Sequence, residues 1–559
     1  MNDSTSYVAG TTDLPLLEDT IGAMLDRAVS RWPEREALVS VEQGVRWTYE
    51  EFGRRVDELA RGLMSLGLER GDRVGVWAPN CAQWTLTQFA TAKAGLIQVN
   101  VNPAYRLSEL EYTLTKVGVK ALVAAASFKT SDYVAMIETL APELPHCRPG
   151  ALEAKRLPAL EIVAKIGGER RPGWFEFDDL SAKADLSNPA VLPLLSNRDP
   201  INIQFTSGTT GLPKGATLSH RNLVNNAYFV GRSTGLREAD RLCVPVPLYH
   251  CFGMVMSNLA CVVHGATIVY PAAGFDPLAV LTAIEAERCT AVHGVPTMFI
   301  AELQHPRFGE FDLSSLRAGI MAGAPCPIEV MRQVIDRMYM REVTIAYGMT
   351  ETSPVSFQSS PGDPLERRVT TVGRIQPHME AKVIDTEGRT VPRGAVGELC
   401  TRGYAVMLGY WDDPERTAEA IDAEGWMHTG DLGTLDAEGY CNIAGRAKDM
   451  IIRGGENVYP REIEEYLYRH PKIADVAVIG VPDAKYGEEV CACVRLHSGQ
   501  TASAEEIRGF CQGQIAHYKI PRYVHFVDAF PTTVTGKVQK YLMRQQMMQL
   551  LDLTEQRTA

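Results

Sequence analysis

The stretch from Phe205 to Gly215, Phe-Thr-Ser-Gly-Thr-Thr-Gly-Leu-Pro-Lys-Gly, constrains this chain more than any other. Ile201 to Thr206 reads as a short strand, and Ser207 to Gly215 is too rich in Gly, Ser and Thr to be anything but a loop. Its glycines let the main chain approach a ligand with no Cβ in the way. Backbone N–H groups, hydroxyls and the Lys214 ammonium can then meet phosphate oxygens. No Gly-x-x-x-x-Gly-Lys-Ser/Thr spacing fits within it, so it is not a Walker loop. A flexible surface loop is the ordinary reading of a Gly/Ser run, and the ordered string argues against it.

In open α/β sheets ligands collect at strand C-termini, and residues 20–130 carry the alternation such a sheet needs. Thr48 and Glu51 read as a capping box, after which Phe52, Val56, Leu59, Leu63 and Leu66 recur at helical spacing. Arg73 to Trp77 reads as strand, Ala82 to Ala94 as helix and Leu96 to Val101 as strand. Ser108 and Glu111 cap the next helix, and Lys120 to Ala124 is strand again. Pro142, Pro145, Pro149, Pro158 and Pro172 then predict a long connection over residues 140–200. After the central loop, Ser219 caps a helix beginning near Arg221. Strands follow at Arg241 to Val246, Thr267 to Tyr270, Ala291 to His293, Leu316 to Met321 and Val343 to Ala346, with a helix after Pro277. The loops after Thr206, Met321 and Ala346 all fall at strand ends.

From about residue 370 to 445 the texture changes to short strands and glycine turns, which fit a small barrel or a distorted sheet. A compact α+β unit follows, with a helix from Pro460, strands over 475–481 and 489–496, a helix from Ala504 and a strand at 523–527. At 559 residues the chain exceeds a single core. We place the domain boundary between Arg446 and Asp449, giving domains 1–447 and 448–559.

The 45% hydrophobic and 22% charged residues are those of a soluble globular protein. A net charge of −12 with no basic stripe excludes nucleic acid as a partner, although one local pocket can still hold a nucleotide. The 12 cysteines are scattered; Cys491 and Cys493 suit one face of a strand better than a metal knuckle, and buried, reduced thiols are expected. The N-terminus lacks a basic and apolar leader pattern, and no apolar run reaches the ~18 residues of a membrane span, so the expected location is cytoplasmic.

Four further motifs carry chemistry. In Tyr347-Gly-Met-Thr-Glu351, Glu351 offers a hard oxygen for Mg²⁺ and Thr350 a hydroxyl for a phosphate. In Trp426-Met-His-Thr-Gly-Asp431, a carboxylate after a tight turn suits ribose hydroxyls. Gly445-Arg-Ala-Lys-Asp449 runs on to Ile451-Ile-Arg-Gly-Gly-Glu-Asn457, and Pro531-Thr-Thr-Val-Thr-Gly-Lys537 comes last. Three of them have a plainer reading alone: a solvated Glu351, Asp431 as a turn former, Lys537 as a surface charge.

Together, in this order and spacing, the five motifs resemble the adenylate-forming (AMP-binding) superfamily, in its acyl-CoA synthetase branch, over about residues 35–545. The resemblance implies an α/β fold: a large N-terminal domain of mostly parallel layered sheets with a small β-barrel-like subdomain, then a small mobile α+β C-terminal domain. It implies ATP, CoA and Mg²⁺, and two steps: a carboxylate attacks the ATP α-phosphate to give acyl-AMP and pyrophosphate, then the CoA thiol displaces AMP. By resemblance, Thr206, Ser207, Gly208, Thr209, Thr210, Gly211 and Lys214 hold the β- and γ-phosphates, Gly323, Ala324, Pro325 and Tyr347 sandwich the adenine, and Gly348 and Met349 belong to the same ATP/AMP site. Thr350 touches the α-phosphate, Glu351 with Thr206 serves the metal, and Asp431 and Arg446 hold the ribose. Lys537 reaches the α-phosphate and the attacking carboxylate. Lys448 or Asp449 is the hinge, and Gly454 and Gly455 line the thiol's path.

Pro247-Leu-Tyr-His250-Cys-Phe-Gly253 resembles the acyl-pocket gate of relatives that activate fatty and aryl acids. Amino-acid-activating relatives place an aspartate near this point; His250 stands here instead. Val295, Pro296, Met298 and Met349 supply apolar wall, and Arg453 to Pro460 looks most like the short- and medium-chain branch. A medium-chain fatty acid is the implied substrate. An aryl or branched acid, or loading of a carrier protein, stays open, as does a homodimer. A non-catalytic nucleotide- or acyl-binding regulator is disfavoured because Lys537, Glu351 and Asp431 are all present.

Overall fold

The computed structural model describes residues 5–183, 192–206, 213–324, 326–453, 456–483, 485–533 and 538–553. Two large sheets dominate. The first has eight strands in the order Phe175–Glu176, Ile162–Ile166, Val119–Ala125, Arg73–Trp77, Ile97–Asn100, Pro200–Thr206, Lys214–Ser219 and Gly409–Tyr410. It is parallel as far as Pro200–Thr206 and antiparallel beyond. The second has nine strands, with the run Glu342–Gly348, Ala318–Ala322, Ala291–Gly294, Arg241–Cys243, Thr267–Tyr270 and Glu36–Ser40 parallel and the edges antiparallel.

The helix Ala82–Ala94 is buried on nearly every side, Gln83 excepted, and packs against strands of both sheets. Its apolar side chains Trp84 and Phe89 fill the space between two layers, and its buried polar ones, Thr85, Thr87, Gln88, Thr91 and Lys93, lie inside with them. Truncating Phe89 to alanine would cost about 3–5 kcal/mol. The helix Tyr49–Ser65 lays Phe52, Val56, Leu59 and Leu63 on the same core and begins where the Thr48 hydroxyl accepts the Glu51 N–H at 3.2 Å.

Three local expectations change. The helix expected from Ser108 is Leu107–Lys116, with Glu109 accepting the Arg106 N–H at 2.9 Å, so Ser108 lies exposed inside the first turn. The connection over residues 140–200 contains a strand, Ile162–Ile166, whose fully buried Lys165 reaches Glu176 at 2.7 Å. That charge breaks the apolar run a sequence reading looks for. Lys214 and Gly215 belong to the strand Lys214–Ser219, not to the loop.

The region from 370 to 445 forms an open, five-stranded antiparallel sheet, including the N-terminal strand Tyr7–Ala9, and does not close into a barrel. Register shifts at Glu398/Cys400 and Leu432/Gly433 distort it. Beyond it, the strands Ile451–Arg453, Glu456–Val458, Ile473–Asp483, Gly487–Leu496 and Tyr523–Phe526 form a fourth sheet with its own apolar clusters. Cys491 and Cys493 share one of them, and none of the 12 cysteines forms a disulfide, only Cys147 being less than buried. Among the described residues no helix is long and apolar enough to cross a membrane.

Candidate active site

The motif-bearing strand ends come from different sheets. Thr206 closes its strand in the eight-stranded sheet, opposite Lys214 in register. Tyr347 and Gly348 close theirs in the nine-stranded sheet, and Asp431 lies on Met427–Leu435 of the open antiparallel sheet. Side chains join the three.

Glu351 is 5% exposed, in the short turn Thr350–Thr352 that begins with Thr350. Its Oε1 accepts from the Tyr410 hydroxyl at 2.9 Å and from Thr206 Oγ1 at 3.2 Å. The main chain holds the turn in place, since the Met407 N–H donates to the Glu351 carbonyl at 2.9 Å. Burial, and then the Glu351 charge, pushes the Tyr410 phenol well above its ordinary range, so it remains a donor. The Lys214 ammonium lies 4.3 Å from the centre of the Tyr410 ring. Glu351 and Thr206 thus offer hard oxygens at one point, a donor set that fits Mg²⁺.

The second cluster surrounds Asp431, which is 6% exposed. The Tyr347 hydroxyl donates to its Oδ2 at 2.6 Å, and Arg446 Nε stands 3.0 Å from its Oδ1. Asp431 and Arg446 are direct register partners. The Asp431 N–H donates to Thr429 Oγ1 at 3.1 Å, and that hydroxyl donates to the Leu399 carbonyl at 2.6 Å. Burial, and then the Asp431 carboxylate, raises the Tyr347 phenol well above its usual range. Gly348 is needed for close packing, because a Cβ there would meet the Pro354 carbonyl oxygen at 1.7 Å. Gly323, followed by Ala324, turns away from the strand Ala318–Ala322 at φ 89°, which favours glycine.

The acyl-side residues converge less tightly. Val295, Met298 and the partly buried Met349 belong to the large apolar core that also takes in Phe205, Phe252 and Tyr410. Pro296 opens the helix Pro296–Leu303. His250 precedes the turn Cys251–Gly253, its ring 4.4 Å from that of Tyr249, and the helix continues through the π-helical turn Met254–Leu259. Lys448 and Asp449 lie in the short turn Ala447–Asp449, where Lys448 is exposed. Ser207, Gly208, Thr209, Thr210, Gly211, Pro325, Gly454, Gly455 and Lys537 lie outside the described residues.

The structure therefore brings together Thr206, Lys214 and Glu351 on one side and Tyr347, Asp431 and Arg446 on the other. Sequence reasoning missed Tyr410 and Thr429. The aromatic pair Tyr410-Trp411 after Gly409 was a signal for the first; Thr429 was visible only as part of its motif.

The sequence profile of the AMP-binding enzymes matches residues 25–411, and that of the AMP-binding enzyme C-terminal domain matches residues 462–537. The chain belongs to the AMP-binding enzyme family. Thr206, Lys214, Glu351 and Tyr410 fall within the first match and Lys537 within the second, while Asp431 and Arg446 lie between the two. The medium-chain acyl-CoA ligase ACSF2, mitochondrial, of Danio rerio is 50% identical, over 98% of this chain and 92% of that one. Among solved structures, the anthranilate CoA ligase AuaEII in complex with anthranoyl-AMP matches with a TM-score of 0.86 at 28% identity, covering 97% of this chain and 99% of that one. ATP-bound MatB from Rhodopseudomonas palustris matches with a TM-score of 0.81 at 30% identity, over 95% and 100%.

Proposed function

We propose that this protein is an ATP-dependent acyl-CoA ligase that activates a medium-chain fatty acid as its acyl-AMP and passes the acyl group to CoA, releasing AMP and pyrophosphate. The observation that carries the reading is the short segment Tyr347 to Glu351, whose two ends reach opposite halves of a nucleotide site. Tyr347 holds Asp431, and Glu351 meets Thr206 and Tyr410. A ribose hydroxyl pair suits Asp431 with Arg446, and the phosphates suit Lys214, Thr350 and the loop after Thr206. Glu351 and Thr206 would hold Mg²⁺, which supplies charge neutralisation to the phosphates when bound.

Lys537, at the matching position of the last motif, would meet the α-phosphate and the attacking carboxylate. Two anions must approach one another there, and a preorganised cation lowers that barrier. A turn of the small domain about Lys448 or Asp449 would then withdraw Lys537 and bring the Gly454–Gly455 loop to the thiol's path. The apolar side chains of Val295, Met298 and Met349 are compatible with a hydrocarbon chain as the acid's tail, and the name of the Danio rerio relative supports it.

The test is an ATP–pyrophosphate exchange screen across acids of graded length, with aryl and branched controls, followed by a CoA-dependent AMP-release assay. Octanoate is expected among the best substrates. Benzoate or coumarate turning over about tenfold better in kcat/KM, a difference of about 1.4 kcal/mol, would overturn the chain-length assignment. Exchange without CoA-dependent release would turn the reading toward carrier-protein loading.

A further inference from the structure

The open antiparallel sheet carries a cluster of metal-binding side chains that the ligase reaction does not use. Glu398 and Cys400 are two residues apart on the strand Gly397–Gly403, and His428 on Met427–Leu435 is the direct register partner of Cys400. A carboxylate oxygen, a thiol sulfur and an imidazole nitrogen from these three lie within 4.8 Å of one another. His428 Nδ1 is 3.2 Å from Glu398 Oε2 and 3.7 Å from Cys400 Sγ.

The two separations from His428 Nδ1 are close to those of a coordination site. With Zn–N and Zn–O near 2.0 Å and Zn–S near 2.3 Å, two edges of a tetrahedral site measure about 3.3 Å for N···O and about 3.6 Å for N···S. The surroundings also suit an ion. The Gly430 N–H donates to Glu398 Oε1 at 3.1 Å, which aims Oε2 at the cluster. Asp422 Oδ2 lies 3.7 Å from His428 Nε2, the carboxylate partner that ligating histidines commonly have on their other nitrogen. Side-chain exposures of 32% for His428 and 31% for Glu398 leave a route from solvent. Lys382, opposite Cys400 in register, has its ammonium 4.4 Å from the Trp426 ring centre.

We propose that Glu398, Cys400 and His428 form a binding site for zinc or a comparable thiophilic divalent cation, with a water as fourth ligand. Without the ion, His428 Nδ1–H donates to Glu398. Binding moves the imidazole proton to Nε2, facing Asp422, and sends the Cys400 thiol proton to solvent. Thiolate, imidazole and carboxylate then donate their electron pairs to the cation, with no change of oxidation state. None of the three residues is among the proposed nucleotide contacts, and the inference does not rest on the ligase reading. Because Thr429, Gly430 and Asp431 follow His428 directly, the bound ion would pin the start of the strand that carries Asp431.

Cobalt(II) titrated into the tag-free, full-length, reduced and metal-stripped protein tests this. The expected result is one equivalent giving tetrahedral d–d bands and a thiolate charge-transfer band, displaced by zinc. Cys400→Ser should remove the charge-transfer band and Cys147→Ser should leave it. Asp422→Asn should weaken the affinity about 10–100-fold. Should Cys400→Ser misfold, His428→Gln, at a partly exposed position, must lower the affinity at least as much as Asp422→Asn. Absence of a thiolate band in the wild-type protein, the same band in Cys400→Ser, or undiminished affinity in His428→Gln would each overturn the proposal.

Discussion

The Tyr410 hydroxyl donates to Glu351 Oε1 at 2.9 Å, tying the edge of the eight-stranded sheet to the turn that follows the nine-stranded sheet's strand Glu342–Gly348. A hydrogen bond to a charged group is worth about 1.5–3 kcal/mol. Tyr410→Phe is therefore expected to raise the Mg²⁺ concentration needed for half-maximal pyrophosphate exchange by about tenfold while the protein stays folded. Glu351→Ala should abolish magnesium-dependent exchange. An unchanged response to Mg²⁺ in Glu351→Ala would remove that residue from the metal's coordination.

Asp431 is buried, whereas the side chain of its partner Arg446 is 49% exposed. The two should not be equivalent. Asp431→Ala is expected to weaken ATP binding about a hundredfold, because it removes a buried charged acceptor and leaves the Tyr347 hydroxyl unpaired. Arg446→Ala should cost about tenfold or less, since solvent screens an exposed pair. Fluorescence or calorimetric titration with ATP reads both, and equal losses would contradict the assignment.

Lys537 and the hinge predict opposite defects in the two half-reactions. Lys537→Ala should lower acyl-AMP formation by about a hundredfold or more, yet convert presynthesised acyl-AMP and CoA to thioester at nearly the wild-type rate. Lys448→Pro fixes φ at the pivot and should retain adenylation while losing thioester formation. Each half-reaction is measured separately. Equal loss of both steps in a folded Lys537→Ala protein would sink domain alternation here.

Stability should depend on pH through three buried groups outside these motifs. Glu302 is 1% exposed with Oε2 unpartnered, and burial pushes its carboxyl from 4.5 to about 8. Between those values the folded chain binds more protons than the unfolded one, so this contribution to stability falls as pH rises. His293 and His220 act with the opposite sign. Burial pushes them from 6.5 to about 3 and about 4, so their contribution is lost as pH falls below 6.5. Thermal unfolding should show a maximum Tm at about pH 6.5, and Glu302→Gln should flatten the alkaline limb and steepen the acid one. An unaltered alkaline slope in that variant would refute the assignment to Glu302.

Much of the fold was legible because local patterns and tertiary packing agree. The helices Ala82–Ala94 and Pro460–Leu467 start where the sequence puts them, and Arg73–Trp77 is a strand over its full expected length. Reading failed where a tertiary contact overrode a local cue. Ile162–Ile166 hides behind its neighbouring prolines and behind Lys165, whose burial is tolerable only because Glu176 comes alongside. Ser108 looked like a cap, but the chain entered the helix earlier, with Arg106 as the capping position and Glu109 accepting its N–H.

By itself the sequence determined the five motifs, their order, the alternation of strand and helix, and hence the kinship with AMP-binding enzymes. It did so because glycine turns, capping residues and apolar periodicity act over a few residues and leave a local trace. Only the tertiary structure decided that Thr206, Tyr347 and Asp431 end up on three different sheets, and that Tyr410 reaches Glu351 across 59 residues of chain. It likewise decided that Glu398 and Cys400 face His428. Those meetings depend on sheet order, register shifts and layer packing, which arise from the burial of the whole chain and leave no local pattern at the residues that meet.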